Sequence, residues 1–350
     1  MHKLTLGWDL GGAHVKAVLL DANGLALQTM QSACPLWRGM DHLQKSVDEI
    51  LDALMQPAGR HAVTMTGELA DIFSSRDEGV RRLSSFMADR FGVGNVRIYA
   101  GRRGFVPQGD VACCCADIAS ANWHASASFL AAEVGDALLL DIGSTTSDLV
   151  LLHRGEICSL GCSDAGRMRH GELIYTGVVR TPVMAVAQSV PFGGDLQGVA
   201  AEHFATMADV YRLTGDLDEE LDMADTADGA GKSMEDSARR LARMVGQDLA
   251  DAGMRQWRQL ALSVKNRQLR TLEEAAERAW SRGLLGEDAP LLGAGAGRFL
   301  VRDLARRTER PYHDVSEWVR AVPGVADWTA VCLTAYAVGR LSMHEQVWPR

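Results

Sequence analysis

The chain has 350 residues, of which 47% are hydrophobic and 23% are charged, and its formal net charge is -9. This length exceeds that of a typical single domain and predicts two lobes, each with its own core. The acidic balance argues against a nucleic-acid surface, and no run of 18 apolar residues predicts a membrane span. We therefore expect a cytoplasmic protein whose positive charges act locally, where an anionic ligand binds.

The first two predicted strands form a hairpin with a glycine turn. Residues 4–13, LTLGWDLGGA, are an apolar strand that ends in Asp-x-Gly, and a second apolar strand begins at residue 14. Backbone N–H groups left open in such a turn can contact phosphate oxygens, and a carboxylate at the strand end can hold a hydrated Mg²⁺. The candidate residues are Asp9 for catalysis and the metal, Gly11 and Gly12 for phosphate, and Lys16 as a charge partner.

Alternating helices and strands follow and predict an α/β layer. They comprise an amphipathic segment at 41–55, a strand at 61–67, a helix near 77–91 and a strand at 95–100. The string TMTGELAD places Glu68 at the end of one strand, where open α/β sheets line ligand clefts. Glu68 is a candidate acid, base or amine-binding group, and a carboxylate in the first turn of a helix remains an equal alternative.

The seven cysteines of the chain include three consecutive ones, Cys113–Cys115. Adjacent residues of a strand point to opposite faces, so the three consecutive cysteines cannot jointly coordinate one metal ion. Cys158 and Cys162, with His170 downstream, form only a weak zinc motif. We expect reduced and mostly buried thiols.

A second hairpin repeats the first one 132 residues later. After a helical stretch at 116–135, the string LLLDIGSTTSD at 138–148 again ends an apolar strand in Asp-x-Gly and begins another strand. Two such hairpins that face each other across a cleft would bracket a polyphosphate from both sides. The candidates are Asp141 for catalysis and the metal, and Gly143, Ser144, Thr145 and Thr146 for phosphate.

Residues 160–260 are polar, acidic and punctuated by glycine, and they predict an insertion or lid with a helix at about 234–250. Polar groups among apolar ones in this segment suit an aromatic, amine-bearing substrate better than adenine. The candidate substrate residues are Glu172, Tyr175, Thr176, Arg180 and Asp209.

The C-terminal part predicts a helix at 264–284, a strand, glycine turn and helix at 289–307, and a helix at 326–341. The turn LLGAGAG contains Gly293 and Gly295, which allow close approach of a ligand to the backbone. Packing of the helix on the strand explains these glycines nearly as well.

The Asp9 turn, the Asp141 turn and the Gly293 loop resemble, in order and spacing, the two phosphate hairpins and the adenosine loop of the actin-like ATPase superfold. Sugar kinases, chaperone ATPases and actin share it. Within the superfold, the chain is similar to the hydantoinase A/oxoprolinase group, and more closely to its tetrahydromethanopterin-linked one-carbon-transfer branch. The resemblance spans residues 7–244 and is carried by GWDLGGAHVKA, VTMTGELAD, ANWHA, LLLDIGSTTSDLV, GELIYTGVVRTPV, AEHFATMADVYRLTG, TADG and RLARM.

The resemblance implies a two-lobe, ribonuclease H-like α/β fold with mixed five-stranded sheets. The lobes would be residues 1–118, with the first phosphate hairpin, and 119–350, with the second hairpin and an insertion at about 160–260. Mg²⁺ is the implied cofactor, and the binding of ATP is left open.

The archaeal counterpart of this branch is a methylofuran-biosynthesis synthase. The resemblance therefore implies that an aminomethyl-furanmethyl diphosphate condenses with γ-glutamyltyramine to form an aryl ether and release diphosphate. The furan ring can delocalise cationic charge on its CH₂ group, so that loss of diphosphate is a natural route. Such an enzyme needs cations at the leaving group and a base for a phenol with a pKa of about 10.

Two alternatives remain at this point. One is an ATP-dependent enzyme of the hydantoinase/oxoprolinase type, and the other is a non-catalytic, nucleotide-binding regulator. The expected partners are a small-molecule diphosphate and a phenol or amine substrate, with no nucleic acid or membrane. The specific furan and tyramine derivatives, the general base and a homodimeric state are not decided by the sequence.

Overall fold

The computed structural model describes residues 4–344 and 347–348, and its contacts divide the chain into two compact units. The first unit contains the chain up to Gly135, residues Leu152–Ile157 and the chain from Val315 onward. The second unit contains Asp136–Leu151 and Cys158–Asp314. No helix within the described ranges is long and apolar enough to cross a membrane.

The first unit is built on one mixed sheet. Its strands are β1 (Thr5–Leu10), β2 (His14–Leu20), β3 (Ala26–Ala33), β4 (Arg60–Met65), β5 (Val96–Tyr99) and β6 (Phe105–Val106), in the order β3-β2-β1-β4-β5-β6. The strands β1, β4 and β5 are parallel, and the other pairs are antiparallel. In the described part of the chain this sheet has six strands, not the predicted five, because the short β6 turns back along β5.

Helices cover both faces of this sheet. They are α1 (Met40–Ala53), α2 (Arg76–Phe91), α3 (Cys115–Ile118) and α4 (Asn122–Glu133). Leu6, Trp8 and Leu10 alternate along β1 and share one apolar core with the buried residues of α1 and α2. The predicted helix at 116–135 is two helices, because Ser120 between them has a positive φ of 52° that a continuous helix does not allow.

The second unit contains another mixed sheet and the whole predicted insertion at 160–260. Its elements are β7 (Ala137–Ile142), β8 (Ser147–His153), β9 (Glu156–Ile157), α5 (Asp164–His170), β10 (Leu173–Ile174), α6 (Val183–Val186), β11 (Ser189–Phe192), β12 (Asp195–Gly198), α7 (Met207–Thr214), α8 (Met234–Met244), α9 (Met254–Trp280), β13 (Leu291–Ala294), α10 (Arg298–Arg307) and β14 (Tyr312–Asp314). The strand order is β10-β8-β7-β13-β14, with β9 paired to β8. Strands β9 and the end of β8 lie in residues grouped with the first unit.

Residues 160–260 contribute to the core of the second unit. Val178, Tyr211, Leu241 and Trp257 are fully buried in one apolar cluster with Leu138 and Leu140 of β7. The predicted helix at 234–250 ends at Met244, and the helix predicted at 264–284 begins ten residues earlier as α9. A role of this segment as a lid stays a prediction.

The chain from Val315 returns to the first unit as α11 (Ala326–Val331) and α12 (Leu333–Leu341). Helix α12 contacts β1, β2, β4 and α4. It crosses β1 so closely that a Cβ atom on Gly7 would lie 2.0 Å from the carbonyl oxygen of Ala335. These contacts group the C-terminal segment with the first sheet, whereas the predicted lobe 119–350 assigned it to the second.

A buried histidine makes the first unit sensitive to acid. His61 accepts a hydrogen bond on Nδ1 from the Trp8 indole at 3.1 Å and stacks on Phe91. Burial lowers its pKa to about 4, although a backbone hydrogen bond at Ala58 acts in the opposite direction. The unfolded chain, in which histidine has a pKa of about 6.5, therefore binds the proton more readily.

We expect the free energy of unfolding to fall by roughly 3 kcal/mol as the pH drops from about 6.5 towards 4, because a tenfold difference in proton affinity between the folded and unfolded chain corresponds to about 1.4 kcal/mol. Urea unfolding of wild type and His61→Gln across this range measures the difference. The variant should lose this part of the pH dependence, while His203→Gln, at an exposed histidine, should keep it. Identical pH dependence in wild type and His61→Gln would contradict the assignment.

Candidate functional site

The first hairpin, formed by β1 and β2, closes through a tight turn after Asp9. The N–H group of Gly11 donates to the carbonyl oxygen of His14 at 3.0 Å. Asp9 is buried and lies directly opposite Lys16 in the antiparallel register, so their side chains share one face of the sheet. The Lys16 ammonium donates to the carbonyl oxygen of Val331, the last residue of α11, at 3.2 Å. Lys16 therefore lies on the Asp9 face, with its charge held towards the end of a helix.

The two glycines of this turn serve different purposes. A Cβ atom on Gly11 would lie 2.7 Å from the carbonyl oxygen of His14, so the turn itself requires glycine there. A Cβ atom on Gly12 would meet nothing within 4 Å, and the φ of Gly12 is not positive. Neither packing nor backbone conformation explains glycine at this position. Close approach of a ligand to the backbone would explain it.

The second hairpin, formed by β7 and β8, repeats this turn. The N–H group of Gly143 donates to the carbonyl oxygen of Thr146 at 2.8 Å, and both residues lie 132 positions after their counterparts Gly11 and His14. A Cβ atom on Gly143 would make only an ordinary contact of 3.5 Å. The sequence repeat therefore corresponds to one repeated hydrogen-bonded turn.

The segment that follows β10 folds onto the second turn and brings Arg180 to it. The N–H groups of Val178 and Arg180 donate to the carbonyl oxygens of Gly143 and Ser144 at 3.0 and 2.8 Å. A Cβ atom on Gly177 would lie 2.4 Å from the Ser144 carbonyl carbon, so only glycine permits this approach. Burial lowers the pKa of the Arg180 guanidinium, which still carries its charge near neutral pH.

Side chains and backbone of the same unit occupy most of the space around the glycine loop after β13. A Cβ atom on Gly293 would lie 2.8 Å from the Tyr312 ring, and one on Gly295, which has a φ of +77°, would lie 2.5 Å from Asp141 Oδ1. The N–H group of Gly297 donates to the Ile142 carbonyl oxygen at 2.8 Å. The loop thus fixes the end of β7, and packing within the unit accounts for both predicted ligand glycines.

The candidate metal residues fit a cation that arrives with phosphate. Asp9 and Asp141 are each the second-last residue of a strand that leads into a glycine turn. No group of three His, Cys, Asp or Glu side chains that could hold a metal ion occurs among residues 4–344 and 347–348. Mg²⁺ commonly keeps several waters and binds through one or two carboxylates plus substrate phosphates. Single carboxylates beside glycine turns match that donor set.

Glu68 lies next to the first turn. It follows β4, and the N–H group of Thr66 donates to the Leu10 carbonyl oxygen at 3.0 Å, which ties the end of β4 to the start of the turn. The Glu68 side chain is buried, and its Oε1 accepts a hydrogen bond from the Ser120 hydroxyl at 2.9 Å. Glu68 is therefore fixed beside the Asp9 hairpin.

The remaining predicted substrate residues occupy different environments. The Glu172 carboxylate accepts from the N–H groups of Leu160 and Gly161 at 2.6 and 2.9 Å and so anchors a loop. Asp209 is buried between Arg212 and Arg240, each at 2.7 Å. Contacts to substrate remain predictions for both residues.

Thr176 and Tyr175 differ in exposure. Thr176 is buried and its hydroxyl oxygen accepts from the Gln268 amide at 2.8 Å, while Tyr175 is 51% exposed. Thr176 precedes Gly177 and lies close to the second turn, so of the predicted substrate residues it and Arg180 are grouped with that hairpin.

Three residues of these assemblies are not among the predicted site residues. Ser120 contacts Glu68, Gly177 packs against Ser144, and Gln268 also donates to the Gly177 carbonyl oxygen at 2.9 Å. Each is distant in sequence from the group that it contacts. Gly177 alone gave a local signal, as an isolated glycine between two apolar stretches.

Comparisons with known proteins show the family and the fold of the chain. The family model Hydantoinase/oxoprolinase matches residues 60–326, which is more than half of the chain. A nucleotide-free structure of acetone carboxylase, from work on ATP-dependent acetone carboxylation, superposes with a TM-score of 0.56 at 10% identity, covering 97% of this chain and 70% of that one. This likeness concerns the fold alone and confirms the predicted actin-like ATPase architecture.

Two curated relatives share one name, (4-{4-[2-(gamma-L-glutamylamino)ethyl]phenoxymethyl}furan-2-yl)methanamine synthase. The protein from Methanocaldococcus jannaschii is 30% identical over 252 residues, which cover 71% of this chain and 73% of the relative. The protein from Methanococcus vannielii is 29% identical over 114 residues, which cover 33% of this chain and 51% of the relative. Together with the family match, these relatives show that the chain belongs to the hydantoinase/oxoprolinase family.

Proposed function

We propose that this protein is a transferase of methylofuran-type cofactor biosynthesis in one-carbon metabolism linked to tetrahydromethanopterin, acting in the cytoplasm. It would condense an (aminomethyl)furanmethyl diphosphate with a γ-glutamyltyramine-like phenol and release diphosphate. The observation that carries the proposal is the 30% identity to a synthase whose name describes such a phenoxymethyl furan product. The two matching turns support it, since backbone N–H groups in such turns can contact phosphate oxygens.

The proposed roles follow from the position of each residue. The backbone at Gly12 and the turn at Gly143, with the hydroxyl groups of Ser144, Thr145 and Thr146, would contact phosphate oxygens. Gly11 shapes the first turn. Arg180, beside Ser144, would offset the charge that develops on the leaving diphosphate.

Asp9 and Asp141 would order the water shell of Mg²⁺, with Lys16 as a further positive charge on the Asp9 face. When bound, Mg²⁺ would stabilise negative charge on the diphosphate. The residues of the two turns and Arg180 would hold the leaving group.

The deciding experiment supplies purified protein with Mg²⁺ and either the furanmethyl diphosphate plus γ-glutamyltyramine or ATP. We expect an ether product and one diphosphate per ether. Release of phosphate from ATP, without ether formation, would instead favour the hydantoinase/oxoprolinase type of reaction. Turnover with neither set of substrates would favour a nucleotide-binding regulator.

The Gly12→Ala variant tests the phosphate role of the first turn without disturbing its fold. A methyl group at this position meets no protein atom within 4 Å, so we expect an unchanged melting temperature. The same methyl group would block an approaching phosphate oxygen and cost one hydrogen bond to a charged group, about 1.5–3 kcal/mol. The stabilisation by Mg²⁺–diphosphate in a thermal shift assay should largely disappear.

Gly109→Ala is the matched control, because a Cβ atom there also meets nothing within 4 Å and the residue belongs to neither hairpin. It should keep the full ligand-induced shift. An undiminished shift in Gly12→Ala would contradict the phosphate role of this turn.

A further inference from the structure

Glu68 is held in place by close packing from two sides. A Cβ atom on Gly79 of α2 would lie 2.6 Å from both the Cα atom and the carbonyl oxygen of Glu68. On the other side, a Cβ atom on Gly67 would lie 3.0 Å from the carbonyl oxygen of Leu10 and 3.4 Å from the carbonyl carbon of Gly11. Glycine at position 79 therefore lets α2 approach the backbone of Glu68, and Gly67 packs tightly against the end of β1 and the turn that follows it.

Ser120 holds the carboxylate from a third direction and adopts an unfavourable backbone conformation to do so. Its φ of 52° lies in the left-handed region, which costs a non-glycine residue on the order of 1 kcal/mol or more. Glycine would link α3 to α4 without that cost. Serine supplies instead the hydroxyl that donates to Glu68 Oε1 at 2.9 Å, and its side chain is buried.

Three separate features therefore specify the position of one acidic side chain. The two glycines fix the backbone at Glu68, and the left-handed Ser120 fixes its carboxylate. Structures retain such costly local conformations chiefly where the position of a reacting group matters. The carboxylate concerned follows Gly67, which packs against the turn after Asp9.

We infer that Glu68 is the general base of the proposed condensation and that Ser120 is its positioning residue, an inference that rests on the proposed function. Glu68 Oε2 takes the proton from the phenol hydroxyl of the acceptor. The phenolate oxygen then forms the bond to the furan CH₂ group as the bond between that carbon and the diphosphate oxygen breaks. Diphosphate leaves with the bonding electron pair, so atoms and charge balance without another reactant.

The test compares Glu68→Gln and Ser120→Gly in the condensation assay with saturating diphosphate substrate. Loss of a general base typically costs on the order of 10²–10⁴ in rate, so Glu68→Gln should lower kcat by that factor with KM for both substrates little changed. Ser120→Gly should lower kcat on the order of tenfold to a hundredfold through loss of alignment. The double variant should be no slower than Glu68→Gln, because both changes affect one group.

Two further measurements separate this role from a structural one. The melting temperature of Ser120→Gly should stay near that of wild type, since relief of the backbone cost offsets the lost hydrogen bond. Stabilisation by Mg²⁺ and inorganic diphosphate should be retained in both variants, because neither residue is assigned to phosphate. Glu309→Gly is the matched control: Glu309 is exposed, has a φ of 55° and should keep the wild-type kcat when replaced.

The possible outcomes are distinct. No ether with the wild-type protein overturns the proposed function and this inference together. Ether formation by wild type, with unchanged kcat in Glu68→Gln or in Ser120→Gly, overturns the inference alone. A lowered melting temperature with unchanged kcat, or loss of diphosphate-induced stabilisation, assigns the pair to structure or to phosphate binding and equally overturns it.

Discussion

Asp141→Asn should lower the rate of diphosphate release on the order of 10²–10³-fold, because the amide keeps the shape of the carboxylate but not its charge. Loss of one well-placed electrostatic group at a developing charge typically has this effect. Asp141 is the second-last residue of β7, beside the Gly143 turn, and the backbone of Gly295 lies close to its Oδ1. The steady-state assay of ether and diphosphate formation measures the loss.

A thermal shift assay distinguishes this role from a structural one. The strand and its turn remain intact in Asp141→Asn, so the melting temperature without ligand should stay the same or rise slightly. Stabilisation by Mg²⁺–diphosphate should largely disappear, because that gain follows from binding to the native state. Asp195→Asn, at an exposed residue of β12, is the control and should retain both activity and ligand-induced stabilisation.

The prediction that both hairpins act on one diphosphate has its own test. Asp9→Asn should resemble Asp141→Asn, and the double variant should be no worse than the more damaging single one if both carboxylates serve one cation. Additive losses would show that the two hairpins act independently. Full activity of Asp141→Asn, with ligand-induced stabilisation intact, would show that the repeat consists of two ordinary turns without a role in phosphate binding.

Arg180→Ala should raise KM for the diphosphate substrate about tenfold to a hundredfold and change the melting temperature little. The N–H group of Arg180 donates to the carbonyl oxygen of Ser144, so the backbone of Arg180 lies next to the second turn. A hydrogen bond to a charged group is worth about 1.5–3 kcal/mol, which corresponds to that change in affinity. Initial rates at varied concentrations of the diphosphate give KM.

The matched variants sharpen this result. Arg180→Lys keeps a positive charge but lacks the planar fork, so it should recover only part of the affinity. Arg169→Ala removes an exposed arginine of α5 and should leave KM unchanged. A large loss of thermal stability in Arg180→Ala, with unchanged KM, would make Arg180 a structural ion-pair partner.

Local patterns in the sequence predicted the repeated hairpins well. An apolar run that ends in Asp-x-Gly specifies both a buried strand and a turn, because each depends on residues next to one another. The turn hydrogen bonds at Gly11 and Gly143 accordingly have the predicted offset of 132 residues. The alternation of strands and helices predicted an α/β layer, while the mixed sheets and the actin-like fold were predicted from the resemblance.

Element ends and the grouping of the chain were less predictable. Ser120 divides a predicted helix through one positive φ, a conformation that side-chain periodicity does not encode. The C-terminal helices join the first unit because Gly7 and Gly339 let α12 approach β1. These two glycines are more than 300 positions apart in the sequence. No local pattern reports such a pairing.

The sequence alone therefore determined the strands, the two turns, the acidic groups at their ends and, through resemblance, the family. Only the tertiary structure decided which glycine of the first turn is open to a ligand and which one the fold requires. It also brought Ser120 to Glu68 and Arg180 to Ser144. The physical reason is that turns and strands depend on neighbouring residues, whereas the space around an atom depends on segments distant in sequence.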